Sequence, residues 1–208
     1  MPSQVLVALA VLVVVYALIV RPWMLGWGSS PGEQEAELPG DDLVPAARAT
    51  TTRAATIDAP AAAVWPWLVQ MGQDRAGFYT HNWVERLLRS GIPDTHEINR
   101  DWQQLEAGAL MRTNKDIGGK PMGWPVAIVD PSRALVVRSK TMPLGSYAFV
   151  LEPIDAGRTR LIVRDRAHWK PIEQPFRFLI YEPLHAYMET GLMIGIRQRV
   201  EAHAAPAA

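Results

Sequence analysis

The densest group of side chains able to do acid–base chemistry lies between positions 70 and 85, where Gln70, Asp74, Arg75, Tyr79, His81 and Glu85 crowd one short stretch. In this spacing His81 is the candidate base for a proton next to a carbonyl, and Tyr79 or Arg75 the candidate donor to the resulting enolate. A structural reading competes with it. Asp74 and Arg75 also suit a solvated turn, and His81 with Glu85 at i,i+4 also suits an exposed helix-start pair worth roughly 0.2–0.5 kcal/mol. No catalytic residue is therefore firm, and Tyr79, His81 and Arg75 are the ones to test. A metal on His81 and Glu85 would need a third ligand such as His96, and there is no HExxH run, so no metal is expected. No GxxxxGK phosphate loop occurs and no GxGxxG follows a strand pattern, which leaves P-loop and dinucleotide chemistry without their parts. No cofactor is implied.

Composition narrows the field further. The 208 residues carry 21 basic and 21 acidic side chains and no cysteine, which suits one domain with modest additions. Thiolate nucleophiles, disulfides, iron–sulfur clusters and cysteine zinc sites are excluded. A net charge of zero offers no basic field, so nucleic acid is not an expected partner.

The elements that must position these residues begin with an apolar segment. Val5 to Val20 holds no charged or strongly polar group and is closed by Arg21 and Pro22. Sixteen residues rise about 24 Å, short of a hydrocarbon core of roughly 30 Å, and Trp23, Met24 and Leu25 extend it while Arg21 snorkels. Residues 1–27 are read as a single-pass anchor in the cytoplasmic membrane. A cleaved signal peptide is the rival, but the first four residues lack Lys or Arg and no small-x-small site directly follows Val20. Arg21 alone weakly sets the body on the cytosolic side. Trp23 and Trp27 suit either an interfacial belt or packing on the body. Residues 28–50, with three prolines, three glycines and five acids, read as a flexible linker spanning about 26 Å as a coil.

From residue 51 to 204 the pattern is that of an α+β domain, followed by a disordered tail at 205–208. Arg53 to Asp58 reads as a strand. Asp58 and Pro60 then suit the start of a helix that Pro66 kinks and Gly72 ends. A second helical stretch covers about 82–89. Strands follow near 110–113, 125–129, 135–139, 147–152 and 159–165, and the turn sequences at 130–133 and 155–158 make them antiparallel hairpins. A long helix from Pro175 to about His203 presents Phe176, Ile180, Leu184, Met188 and Leu192 as its core face, with Gly191 and Gly195 for close packing and a bend near Pro183. Arg138 and Arg164 are read as outward and solvated, or as inward anion binders. Such a helix laid on such a sheet leaves a concave space. Trp67, Met71, Phe78, Tyr79, Trp83, Trp102, Trp124, Tyr147, Phe149, Tyr187, Met188 and Leu192 either line it as ligand contacts or fill it.

The strings RAATIDAP at 53–60, VWPWLVQMG at 64–72, RAGFY at 75–79, YAFVLEP at 147–153 and GRTRLIVRDR at 157–166 resemble a bacterial branch of the START-like, Bet v 1-like superfamily, also called SRPBCC or polyketide cyclase/dehydrase. The resemblance covers most of residues 50–200. It implies a helix-grip fold, a curved antiparallel sheet wrapped around the long C-terminal helix over a mostly apolar cavity. It does not imply one reaction. Ala109 and Thr80-His81 depart from many relatives, which bars an exact transfer of a site. The expectation is a membrane-tethered domain that binds, and moves or presents, a hydrophobic small molecule or lipid. The alternatives are a cyclase/dehydratase-type enzyme and an interaction module with a filled cavity. The oligomeric state is not assigned.

Overall fold

The computed structural model describes residues 2–80, 95–117, 120–140 and 144–204, so the helix expected near 82–89 and the tail at 205–208 lie outside the described residues. Six strands form one sheet: β1 (Ala49–Ile57), β2 (Leu110–Ile117), β3 (Lys120–Asp130), β4 (Ala134–Ser139), β5 (Leu144–Asp155) and β6 (Arg158–His168). Their order is β1-β6-β5-β4-β3-β2 and every neighbouring pair is antiparallel, as the short turns demand. The body is the expected α+β helix grip.

A helix α1 runs from Ser3 to Leu25. None of its most apolar 18-residue window is buried, and that window's mean hydropathy of 2.7 within a 23-residue helix is enough, by length and composition, to cross a membrane. It is followed by the short α2 (Pro31–Glu35). The helix α3 (Ala61–Val69) precedes β2, and α4 (Glu182–Ala204) closes the chain. Asp58 does not cap α3: Pro60 holds the cap position, and the Asp58 N–H donates to Glu201 on α4. Pro66 lies inside α3, which ends before Gly72.

Alternation decides which side chains meet α3 and α4. Ala55 and Ile57 of β1, Leu135 and Val137 of β4, Phe149 and Leu151 of β5, and Leu161 and Val163 of β6 face the helices, where Trp67, Leu68, Met193 and Ile196 complete the main core. Gly195 lets α4 approach the chain closely, since a Cβ there would stand 2.0 Å from the Tyr79 carbonyl oxygen.

The opposite sheet face is apolar as well, with Ala54, Val136, Ala148, Val150 and Ile162 buried. Two apolar faces need two covers. The second cover is the segment from Gly28 to about Arg48, so the expected flexible linker is a strap laid on the sheet. Leu38 packs into that outer cluster, and the Trp27 carbonyl accepts from Ala54 N–H along the open edge of β1.

Three arginines of β6 hold the strap, with Arg166 reaching the Val44 carbonyl and Asp41. Arg160 pairs with Glu33, and its guanidinium keeps that carboxyl below the usual range. Arg164 does face outward, but it is buried rather than solvated. It donates to the carbonyls of Glu33, Gln34 and Ala36, to Asp41 and to Thr52 Oγ1, which uses all five of its N–H groups. Arg164→Ala leaves those acceptors unfilled at a cost on the order of 3 kcal/mol. We expect a lower urea midpoint and faster glutamate-directed proteolysis at 33–37 in that variant than in the wild type, whose strap should resist cleavage.

Candidate functional site

A largely apolar recess on the helix side of the sheet lies where α4 parts from β3 and β5. It encloses about 280 Å³ and is lined by Phe78, Thr80, Thr113, Trp124, Tyr147, His185, Met188, Glu189 and Leu192. Its volume stands near the lower end of small-molecule sites, roughly 300 Å³. Sheet register builds one wall, because Thr51, Asp165, Tyr147 and Val137 stand side by side across β1, β6, β5 and β4. Aromatic contacts continue it. Trp124 lies 5.9 Å from Tyr147 and 6.3 Å from Phe78, and Tyr147 packs edge-on at 5.8 Å from His185.

A charged cluster sits at the base of this wall. Arg53, fully buried on β1, places Nη1 3.0 Å from Glu189 Oε2, and His185 Nδ1 lies 3.5 Å from the same oxygen. Arg53 Nε donates to the Met24 carbonyl at the end of α1, at 2.9 Å. The Glu189 carboxylate is ion-paired through Oε2 with Arg53 and interacts with the Tyr147 hydroxyl, but no hydrogen bond of good geometry reaches either oxygen among the described residues.

Burial sets the protonation of the groups around Glu189. Removal from water pushes the Asp165 carboxyl up to about 6; His185 draws it down, Glu189 adds to the rise, and Arg53 opposes it. Burial and then the Glu189 charge raise the Tyr147 hydroxyl well above its usual value. Burial followed by the charges of Asp165 and Glu189 does the same to Tyr181.

Of the residues expected to contact a ligand, Phe78, Trp124, Tyr147, Met188 and Leu192 come together at this cavity. Trp67, Met71 and Phe149 belong to the packed core, Trp102 packs partly buried against it, and Trp83 lies outside the described residues. Tyr187 lines a separate apolar groove with Trp23 and Trp27, beside the end of α1.

Of the group expected for acid–base work, Gln70, Asp74, Arg75 and Tyr79 are not among the residues that line the cavity. Tyr79 is buried and donates its hydroxyl to the Trp67 carbonyl at 3.0 Å, while Arg75 Nη1 reaches the carbonyls of Val69 and Trp102. Burial raises the Tyr79 hydroxyl, which suits that structural bond. His81 and Glu85 lie outside the described residues.

Arg53, Asp165, His185 and Glu189 were not among the sequence candidates, yet strand parity carried two of them. Arg53 shares the inward parity of Ala55 and Ile57, and Asp165 that of Leu161 and Val163.

The folded chain holds the Asp165 proton more tightly than the unfolded chain, so stability falls as pH rises from about 4 to about 6 and then levels. Asp165→Asn removes that slope. The variant should gain on the wild type through this window by on the order of 2 kcal/mol, read by urea unfolding near pH 4 and pH 7. Arg53→Met strands the Glu189 charge and should lower stability by about 3–5 kcal/mol. Combining it with Glu189→Leu should recover most of that loss in the same assay.

No family model matches the sequence, and no curated protein matches it. Among solved structures, a START superfamily protein from Mycobacterium smegmatis is 13% identical, with 74% of this chain and 98% of that one covered and a TM-score of 0.45. The Aha1 dimer from Colwellia psychrerythraea is 10% identical over 76% of this chain and 99% of that one, with a TM-score of 0.47. DynU16, from the dynemicin biosynthetic locus, is 18% identical over 74% of this chain and 46% of that one, at 0.41. Six antiparallel strands in the order β1-β6-β5-β4-β3-β2, with α3 preceding β2 and α4 closing one face, give the body a helix-grip, START-like fold.

Proposed function

We propose that the body binds a small apolar molecule whose polar end donates a hydrogen bond, and that α1 holds the body at the membrane in which such molecules dissolve. The observation that carries this reading is Glu189, a buried carboxylate on the wall of a largely apolar, aromatic cavity, whose oxygens receive no hydrogen bond of good geometry among the described residues. A hydroxyl or amine head supplies that donor. A carboxylate or phosphate head meets the Glu189 charge instead, with the nearest cation, Arg53, already paired to it. Phe78, Trp124, Met188 and Leu192 supply apolar surface, worth about 25 cal/mol per Å² removed from water.

The tether supports a membrane source for the ligand. A strap pinned to the sheet keeps the body against the end of α1, where a coil would let it drift some 26 Å away. Binding and presentation at the bilayer need no catalytic residue.

Native mass spectrometry with solvent extraction, on the full chain purified in detergent from membranes of its source, tests the proposal. We expect a near-stoichiometric apolar compound bearing a hydroxyl or amino group. Met188→Trp, which fills the cavity, should lose it, and Glu189→Gln should weaken retention of a long-chain alcohol by about tenfold. An empty protein that also rejects added long-chain alcohols and amines overturns the reading.

A further inference from the structure

The chain entering α4 carries apolar side chains that nothing in the body covers. Ile172 is 86% exposed and Leu179 72%, and Phe176, Ile180 and Leu184 are each more than half exposed. This corner is fastened to α1. The Tyr16 hydroxyl donates to the Phe178 carbonyl at 2.6 Å, and Arg21 grips Glu182 through Nε and Nη2 at 2.7 and 3.0 Å. On α1 itself, Leu18 and Ile19 are as bare as the corner.

The length of α1 sets the depth of what is fastened to it. Covering about 30 Å of hydrocarbon takes about 20 residues, so a bilayer that begins near Ser3 extends to about Pro22. Tyr16 to Arg21 then lie just inside its far edge, and the corner bonded to them lies at the same level. The charges there are compatible with that depth. Glu182 pairs with both Arg21 and Arg177, and the two guanidiniums stack on Phe178 at 4.6 and 4.5 Å, leaving one positive charge in excess at the level of lipid phosphates.

The corner also leads to the cavity. Phe176 contacts Trp169, Trp169 contacts Tyr181 at 4.8 Å, and Tyr181 stacks on His185 at 5.1 Å, the cavity-wall residue that meets Tyr147.

We propose that the apolar corner from Ile172 to Leu184 is a second membrane contact, inserted into the bilayer beside α1, which sets the Tyr181–His185 side of the cavity at the lipid surface. It rests on the membrane tether proposed above. The partner is the bilayer itself, because the corner's bare apolar surface continues that of α1.

A chain without cysteine makes the test direct. Single cysteines at Leu179→Cys, at Val11→Cys in α1 and at Arg133→Cys, in the turn between β3 and β4, each carry an environment-sensitive fluorophore in the full chain reconstituted into phosphatidylcholine vesicles. We expect the label at 179 to lose emission to brominated acyl chains and to be shielded from aqueous iodide, as the label at 11 is, and the label at 133 to show the reverse. A label at 179 that iodide quenches as fully as at 133, while 11 stays in lipid, overturns the docking and leaves the tether intact. Shielding at 179 without quenching by brominated lipid places protein on this face and overturns it too. Iodide access at position 11 overturns the tether, and the corner's insertion with it.

Discussion

A guanidinium shut away from water must have its charge met, and Arg53 meets that demand by joining three separate parts of the chain through Nε and Nη1, while its Nη2 makes no hydrogen bond among the described residues. Its Nε reaches the Met24 carbonyl at the end of α1, and Nη1 reaches both Thr51 on its own strand and Glu189 on α4. The end of α1 therefore cannot move off the body without uncovering a buried charge. Nor can α4 lift from the sheet without parting the ion pair. Such a pair adds little stability over an apolar substitute of the same shape, but it joins α1, sheet and closing helix in one register. Asp165, Tyr147 and Tyr181 stand around it, and burial first and its charges second shift their protonation.

The sheet imposes a second constraint. Outward Val136, Val150 and Ile162 alternate with inward Val137, Leu151, Leu161 and Val163, so neither face can be left to water. α3 and α4 cover one face, and a segment nearly without regular structure covers the other. Its proline, glycine and acid content reads as a linker by composition, but two of those acids, Glu33 and Asp41, are partners for the three arginines that β6 turns outward. What separates a tether from a strap is whether the sheet beneath needs a cover, and that need is written in β4, β5 and β6, about a hundred residues away.

Local patterns were legible and angular ones were not. The strands, hairpin turns and closing helix follow from alternation and turn chemistry within a few residues of each position. The proposed core face of the closing helix failed halfway. A strict four-residue ladder drifts about 40° per step on a helix of 3.6 residues per turn, so Phe176, Ile180 and Leu184 face outward, while Leu192 has rotated into the core. The true inward stripe mixes steps of three and four through Glu182, Glu189, Met193 and Ile196, and its charged members hide it from a search for apolar residues. Trp124, Tyr147 and Met188 of the cavity wall stand out in the sequence because large side chains announce themselves. The cavity's polar base does not, since a charge on an inward position looks like evidence that the position faces out.

Two prolines determine where α1 meets the body. Helix α1 widens into a π-turn over Tyr16–Val20 ahead of Pro22, and the chain entering α4 does so over Arg177–Tyr181 ahead of Pro183. A proline offers no N–H and its ring presses on the turn before it, and both strains ease when that turn widens. In the second turn the Glu182 N–H bonds the Arg177 carbonyl, so the next carbonyl, that of Phe178, would look to residue 183 for its donor and finds proline. The Tyr16 hydroxyl fills that place. Helix α1 is thus bonded to the body where the closing helix has a carbonyl it cannot satisfy alone, and the Arg21–Glu182 bridge one turn further on fixes the rotation about that bond. An unbroken helix at either position would present no such acceptor, and the apolar corner would lose its fixed place beside the span.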